Sequence, residues 1–308
     1  MDEKSIEEQV RERVAAEEKE REAKKAARDP EASDAVEPGN NGKVDSKFVR
    51  ECLYANQLGD GMLFSALHDG RFLMNQSSGE WLIWTGHHWD RDIRQRALAS
   101  VENVAQRYLQ EARDIVKSID WAMKKGDEDL ADKFKDTQET IYKRASRLRS
   151  ENGRLNCLRF SAVNMHHSLD CVGDDLDQDP WLLACQNGVI DLRTGELRDG
   201  KPRDMISKAS PVEYRGVETP APMWEETLHQ IFGGPKAETD EDRRRVDELT
   251  AYVQRLLGYA CTGLTRENIL PILWGQGRNG KTTIVESVSR VLGPLAAPIQ
   301  SEVLLDQG

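Results

Sequence analysis

Gly275-Gln276-Gly277-Arg278-Asn279-Gly280-Lys281-Thr282-Thr283 follows the apolar run Ile269-Leu270-Pro271-Ile272-Leu273-Trp274 and precedes Ile284, Val285, Val288, Val291 and Leu292 at helical spacing. A strand, a glycine-framed loop and a helix in that order form a phosphate-binding loop. Gly275 and Gly280 let the backbone wrap so that successive N–H groups converge on an anion. The helix opening at Lys281 adds its N-terminal partial positive charge. Lys281 is a mobile cation for the phosphates, and the Thr282 hydroxyl is placed for a Mg²⁺ carried by the nucleotide. The whole stretch from Gly275 through Gln276, Gly277, Arg278, Asn279, Gly280, Lys281 and Thr282 to Thr283 is therefore the candidate nucleotide site, with ATP and Mg²⁺ as its cofactors.

The 308 residues allow about two domains. Charged residues make up 31%, mean hydropathy is −0.67, and the net charge is −11. That balance excludes a generally basic nucleic-acid coat, although a local patch can still bind DNA. The five cysteines, Cys52, Cys157, Cys171, Cys185 and Cys261, are scattered without a C-x-x-C pair. Reduced thiols of a cytoplasmic protein fit this pattern better than disulfides or zinc. No apolar run reaches membrane-spanning length and no apolar leader opens the sequence, so no membrane partner is expected.

Residues 1–46 read as a charged tail, helical or disordered, and a linker. Ile6, Val10 and Val14 share a helical face, and Glu7–Arg11, Glu17–Arg21 and Glu20–Lys24 are favourable i,i+4 pairs. The plain reading is a solvated, marginal helix. The functional one is a coiled-coil partner, for which three apolar residues make a short seam. Residues 47–215 read as a mixed α/β domain. Helical pattern over 48–58 leads to a turn-punctuated β element over Arg71–Met74, Trp81–Thr85 and His88–Asp90. Trp81, Trp84 and Trp89 are core or base-stacking residues, with core preferred. His87 and His88 lack Cys or carboxylate neighbours at ligand spacing. Leu98, Val101, Ala105, Tyr108, Ala112, Ile115 and Ile119 mark a long helix, and a second follows a break at Gly126. The second ends in Lys143, Arg144, Arg147 and Arg149, the candidate DNA-binding cluster; ordinary solvation near a helix C-terminus is the rival reading. A helix over 153–169 and a hairpin over 180–198, with turns at Asn187-Gly188 and Thr194-Gly195, come next. Residues 216–268 form a helical lead-in, with pieces at Met223–Ile231 and Asp240–Leu257, and 269–308 the start of a P-loop core.

The succession W-x-x-W-x-G-x-x-W (Trp81 to Trp89), P-W-L-L-x-x-x-N-G-V-I-D-L-R-T-G-E-L (Pro180 to Leu197), L-G-Y-x-x-T-G (Leu257 to Gly263) and a phosphate loop with Asn279 before Gly-Lys resembles the phage and plasmid primase–helicase family, whose motor is a superfamily 3 helicase. The resemblance runs from about residue 55 to the end. It implies an α+β N-terminal domain, mainly helical with small antiparallel hairpins, followed by the first strand, phosphate loop and helix of an AAA+-type ATPase domain. It further implies ATP-dependent DNA unwinding, a hexameric homo-oligomer, DNA and replication proteins as partners, and a phage, prophage or plasmid gene acting in a bacterial cytoplasm. Gly275, Gly280, Lys281 and Thr282 correspond to the family's nucleotide loop.

Two departures shape the expectation. Nothing before residue 60 offers the carboxylate cluster of a primase, and 27 residues follow Lys281. The family's acidic Mg²⁺ and water-activating motif, its sensor and its arginine finger fall beyond that span. Asp306, ending Val303-Leu304-Leu305, stands too close to the loop to serve. Pro271 also sits inside the first motor strand, tolerable only near its start. The chain thus reads as a truncated or split helicase that binds nucleotide without the hydrolytic motifs. The alternative is a non-catalytic oligomerisation or DNA-loading module with a vestigial loop; an unrelated P-loop NTPase would leave the upstream motifs as coincidences.

Overall fold

The structure is a computed structural model, and it describes residues 44–299 except 166, 276 and 278. The charged tail and the run Val303-Leu304-Leu305 with Asp306 lie outside the described residues. Among the described residues the first helix is α1 (Ser46–Tyr54), opened by Asp45, whose carboxylate accepts the Phe48 N–H at 2.8 Å. Helix α2 (Asn56–His68) follows directly. Its Gly59 and Gly61 are packing devices. A Cβ on Gly59 would lie 1.8 Å from the Cys52 carbonyl oxygen, and one on Gly61 2.5 Å from the Phe160 backbone. Close backbone approach outweighs the roughly 1 kcal/mol that each glycine costs a helix. The helical region therefore extends ten residues past the expected boundary at 58, to His68.

Helices α3 (Arg96–Lys125) and α4 (Glu128–Leu148) are the two long helices expected on either side of Gly126. Gly126 at φ +76 turns the chain, and Asp127 caps α4 by accepting the Leu130 N–H. Helix α5 (Glu151–Ser161), capped by Ser150, is shorter than the 153–169 expected. Asn164 stops it: its side chain accepts the His167 N–H at 2.8 Å and donates to the His167 carbonyl at 3.0 Å, which builds a turn instead of another helical one. The helices enclose a core containing Leu63, Phe64, Val101, Tyr108, Ile115, Ile141 and Leu148. Each such side chain contributes about 1.5–3 kcal/mol when fully buried.

A sheet packs on that core. Strands β1 (Phe72–Asn75), β2 (Glu80–Trp84) and β3 (Trp89–Arg91) are the antiparallel element expected, and β4 (Asp170–Cys171) adds a parallel edge beside β1, giving the order β3-β2-β1-β4. Phe72 and Trp81 reach Phe64 with ring centroids 6.1 and 6.3 Å away. The second sheet is a meander of β5 (Leu182–Cys185), β6 (Gly188–Asp191) and β7 (Glu196–Arg198) around Ala184, Val189 and Ile206. The lead-in helices are α6 (Pro222–Ile231) and α7 (Asp240–Ala260), the latter opened by a Thr239–Asp242 capping box, and α8 (Lys281–Leu292) follows the loop. The fold is mixed α+β, mainly helical with small sheets.

The expected strand over Ile269–Trp274 is not formed. Residues 268–275 carry no regular structure, and Ile272 and Trp274 are 79% and 91% exposed. A strand exists through its ladder, and among the described residues no segment pairs with this one; Pro271 moreover brings no N–H. Among the described residues no helix is long and apolar enough to cross a membrane.

A buried polar network ties the helical core together. Asp60 on α2 accepts from Arg144 of α4 at 3.3 Å and from the Tyr108 hydroxyl of α3 at 3.2 Å. The Cys157 thiol of α5 donates to the Asp60 carbonyl, and Arg144 also donates to the Asn56 amide oxygen at 2.7 Å. Burial pushes the Asp60 carboxyl up to about 6 against the pull of Arg144 and Tyr108. A carboxyl raised in the folded state holds its proton more tightly there than in the unfolded chain. Its stabilisation is complete below about pH 4 and is lost as pH rises through 6. Removing the guanidinium raises the folded-state value further. Arg144→Met is therefore expected to cost about 3–5 kcal/mol at pH 8, where the carboxylate is left buried and unpaired, and clearly less at pH 5. Denaturant unfolding at the two pH values checks this; an equal cost at both would remove Asp60 as the partner that matters.

Candidate phosphate loop and its surroundings

The loop reaches α8 through Gly280, which sits at φ +79 as the N-cap residue. The Gly280 carbonyl accepts the Ile284 N–H at 3.1 Å, so the first helical turn grows straight from the loop. Ile284 is buried and anchors that turn, while Thr282 is exposed and Thr283 half-buried. Lys281 folds back over the loop. Its Nζ donates to the Gly275 carbonyl at 3.0 Å and to the Asn279 Oδ1 at 2.7 Å. A Cβ on Gly275 would meet the Asn279 amide nitrogen at 2.3 Å, so glycine is needed for the loop to close this tightly. Gly277 is exposed, and Gln276 and Arg278 lie outside the described residues. The structure thus brings Gly275, Asn279, Gly280 and Lys281 into one closed turn at the N-terminus of a 12-residue helix.

Two supports of this turn carry no sequence signal. Ile231, the last residue of α6, packs on Gly280, where an added Cβ would stand 2.4 Å from its side chain. At the other end of α8, the Ser210 hydroxyl donates to the Val291 carbonyl at 2.6 Å, and a Cβ on Gly293 would meet Pro211 at 2.6 Å. The loop helix is held between α6 and the segment that follows the second sheet. Neither contact is visible in periodicity, because each joins residues some fifty to eighty positions apart.

The basic cluster at the end of α4 is divided by the fold. Arg144 is 8% exposed and bound to Asp60, which withdraws it from any DNA phosphate. Its position on the inward face of α4, one turn from Ile141 and Leu148, decides this. Lys143, Arg147 and Arg149 are exposed. Lys143 pairs with Glu139 at 2.6 Å, and Arg149 forks onto Glu102 at 2.7 Å, where Arg154 joins it at 3.7 Å. The hydrogen bond from Arg149 holds the Glu102 carboxyl below its usual range.

The aromatic and histidine candidates behave structurally. Trp89 is buried and its indole donates to the Pro202 carbonyl at 2.8 Å, while Trp84 meets it edge-on at 5.4 Å. Trp81 is half-buried against the helical core. Burial lowers the pKa of both His87 and His88, and the His88 ring is fixed by Thr85 at 2.8 Å. Among the described residues no group of three or more His, Cys, Asp or Glu side chains could hold a metal ion. His166 lies outside the described residues. All five cysteines are free thiols, and burial pushes the Cys52 thiol up to about 12, so it is inert as a nucleophile.

The sequence model of the family described as D5 N terminal like matches residues 61–233, from α2 through α6. The "Putative helicase L207/L206" of Acanthamoeba polyphaga mimivirus is 31% identical over 134 residues, which are 43% of this chain and 13% of that protein. The "Putative helicase 022R" of Frog virus 3 (isolate Goorha) is 50% identical over 42 residues, 14% of this chain and 4% of the relative. The "Putative helicase 121R" of Invertebrate iridescent virus 3 is 28% identical over 179 residues, 58% of this chain and 18% of the relative. The chain therefore spans less than a fifth of the length of each.

The Gly280 contact can be tested directly. Gly280→Ala places a side chain at positive φ and against Ile231, and is expected to destabilise the loop helix by about 1–3 kcal/mol. Ile231→Ala in the same chain removes the collision but not the φ strain, so it should restore part of the loss. Hydrogen exchange over residues 281–292 reads both effects. Full restoration would assign the cost to the collision alone, and none would leave Ile231 without a role.

Proposed function

The chain belongs to the D5 N terminal like family, the pre-helicase region of phage and viral superfamily 3 primase–helicases, and from that membership we propose that it serves in a replicative DNA helicase that unwinds DNA at the expense of ATP. The observation that carries the reading is the closed turn at the start of α8, with Lys281 folded onto Gly275 and Asn279. An ammonium bonded to neutral oxygens, as Lys281 is to the Gly275 carbonyl and the Asn279 amide, gains a full ion pair when it turns to a phosphate. The residues fit ATP·Mg²⁺. The loop opens directly into the N-terminus of α8, whose dipole favours an anion there, and Thr282 stands exposed in the first turn where a nucleotide-bound cation is met. When bound, the nucleotide supplies the transferable phosphoryl group. This chain's own residues hold and orient it: Gly275 and Gly280 keep the backbone tight, Lys281 neutralises the phosphates, and Thr282 receives the metal.

DNA, a ring of identical subunits and other replication proteins are the partners this role requires. Among the exposed cations, Lys143, Arg147 and Arg149 supply the proposed DNA contacts. A second reading, a non-catalytic oligomerisation or DNA-loading module, is favoured by one feature: residues 268–275 pair with no strand among the described residues.

Two measurements test these readings. Titration of a fluorescent ATP analogue with Mg²⁺ into the full chain should show saturable binding, weakened about tenfold or more by Lys281→Ala, since a charge-assisted contact to phosphate is worth about 1.5–3 kcal/mol. Equal binding by both chains, or binding by neither, would overturn the nucleotide site. For DNA, neutralising Lys143, Arg147 and Arg149 should flatten the dependence of log K on log salt by about two units on single strands. An unchanged slope returns the three residues to ordinary surface.

A further inference from the structure

A groove between the face of the four-stranded sheet and α5 takes no part in the nucleotide site. Its volume is about 800 Å³. Met74 and Trp81, directly paired across β1 and β2, form one wall, Leu98 at the start of α3 the floor, and Leu155 and Val163 the other wall. Leu155 and Val163 are 49% and 58% exposed, and Ile93 at the rim 83%. Apolar side chains lined up this openly mark a surface that is normally covered. The two edges differ in charge. Arg159 stands on the α5 edge, whereas Glu80, bridged to Arg91, and Asp92 give the sheet edge a net negative charge.

We propose that this groove is the docking site of the chain's own N-terminal segment, residues 3–17, which lies in it as an amphipathic helix. Three observations point to that occupant. Ile6, Val10 and Val14 follow one another at four-residue intervals, an apolar ridge about 12 Å long on a helix, the anchor pattern of a helix laid in a groove. Their flanks are opposite in sign: Glu7 borders the ridge on one side and Arg13 on the other. That order sets Glu7 toward Arg159 and Arg13 toward Glu80 and Asp92. Finally, the described fold begins beside the groove. The Val44 carbonyl accepts from Arg107 on α3 at 3.3 Å, and Leu98, in the first turn of the same helix, is about 13 Å back along its axis. Residues 15–43 reach several times that distance when extended. By sequence, three apolar residues make too short a seam for an isolated helix; a preformed apolar trough supplies the burial it lacks.

Hydrogen exchange on the full chain tests the proposal. Residues 3–17 should exchange about tenfold more slowly than an unstructured peptide. Leu155→Asp, at an exposed position, should abolish that protection while leaving that of α3 and α4 unchanged. Arg159→Glu should weaken it, and Glu7→Arg in the same chain should restore it. Absence of protection in the unaltered chain, or protection that survives Leu155→Asp, overturns the proposal. So does failure of the Glu7→Arg rescue. Protection that rises with protein concentration together with a dimer in sedimentation assigns the groove to a second copy instead, and overturns it as well.

Discussion

The carboxylate of Asp60 is the point on which the helical part of the molecule converges. It lies in α2, takes its cationic partner from α4 and its hydroxyl donor from α3, while the carbonyl of the same residue accepts the Cys157 thiol of α5. Four helices are thereby fixed in relative register by one residue. A buried ion pair is a poor source of net stability, because desolvation offsets much of the attraction. It is a demanding geometric condition, however: any sliding of α4 against α2 strands a charge in an apolar interior. The second buried carboxylate obeys the same logic. Glu111 on α3 is fully buried and meets Arg50 of α1 at 2.8 Å and Arg107 at 3.6 Å.

What these helices hold in place is a surface more than a cleft. The sheet leans on them through Phe64, Phe72 and Trp81, and the outer part of that same face, at Met74 and Trp81, joins α5 to make the apolar groove. The loop helix is set differently. Its first turn is seated by Ile231 and its last by Ser210 and Pro211, so both ends depend on segments inside the region that the D5 N terminal like family covers. The loop helix therefore meets that region through packed side chains and one hydrogen bond.

The division of the basic cluster shows how a linear reading misleads. Lys143, Arg144, Arg147 and Arg149 are neighbours in sequence, but residues on a helix turn about 100° apart. Arg144 shares the inward face with Ile141 and Leu148, and the other three look outward. The apolar stripe of α4 already contained that information, since Arg144 falls on its register. Net charge alone obscured it.

Some features of this protein were determined by the sequence alone. Local chemistry is enough wherever an element is specified by its own residues. The break at Gly126, the turns at Asn187-Gly188 and Thr194-Gly195, the capping of α7 and the loop-to-helix transition at Gly280 all follow from conformational preference and spacing. The long periodic stripes of α3 and α4 and the alternation of the first hairpin are equally local. Tertiary structure decided the rest. Helix α2 persists through Gly59 and Gly61 because Cys52 and Phe160 press against it, strand β4 exists only beside β1, and Ile269–Trp274 remains without a ladder because no described segment lies alongside. Each of these outcomes depends on a partner distant in the chain, and periodicity records only what a segment offers, never what it meets.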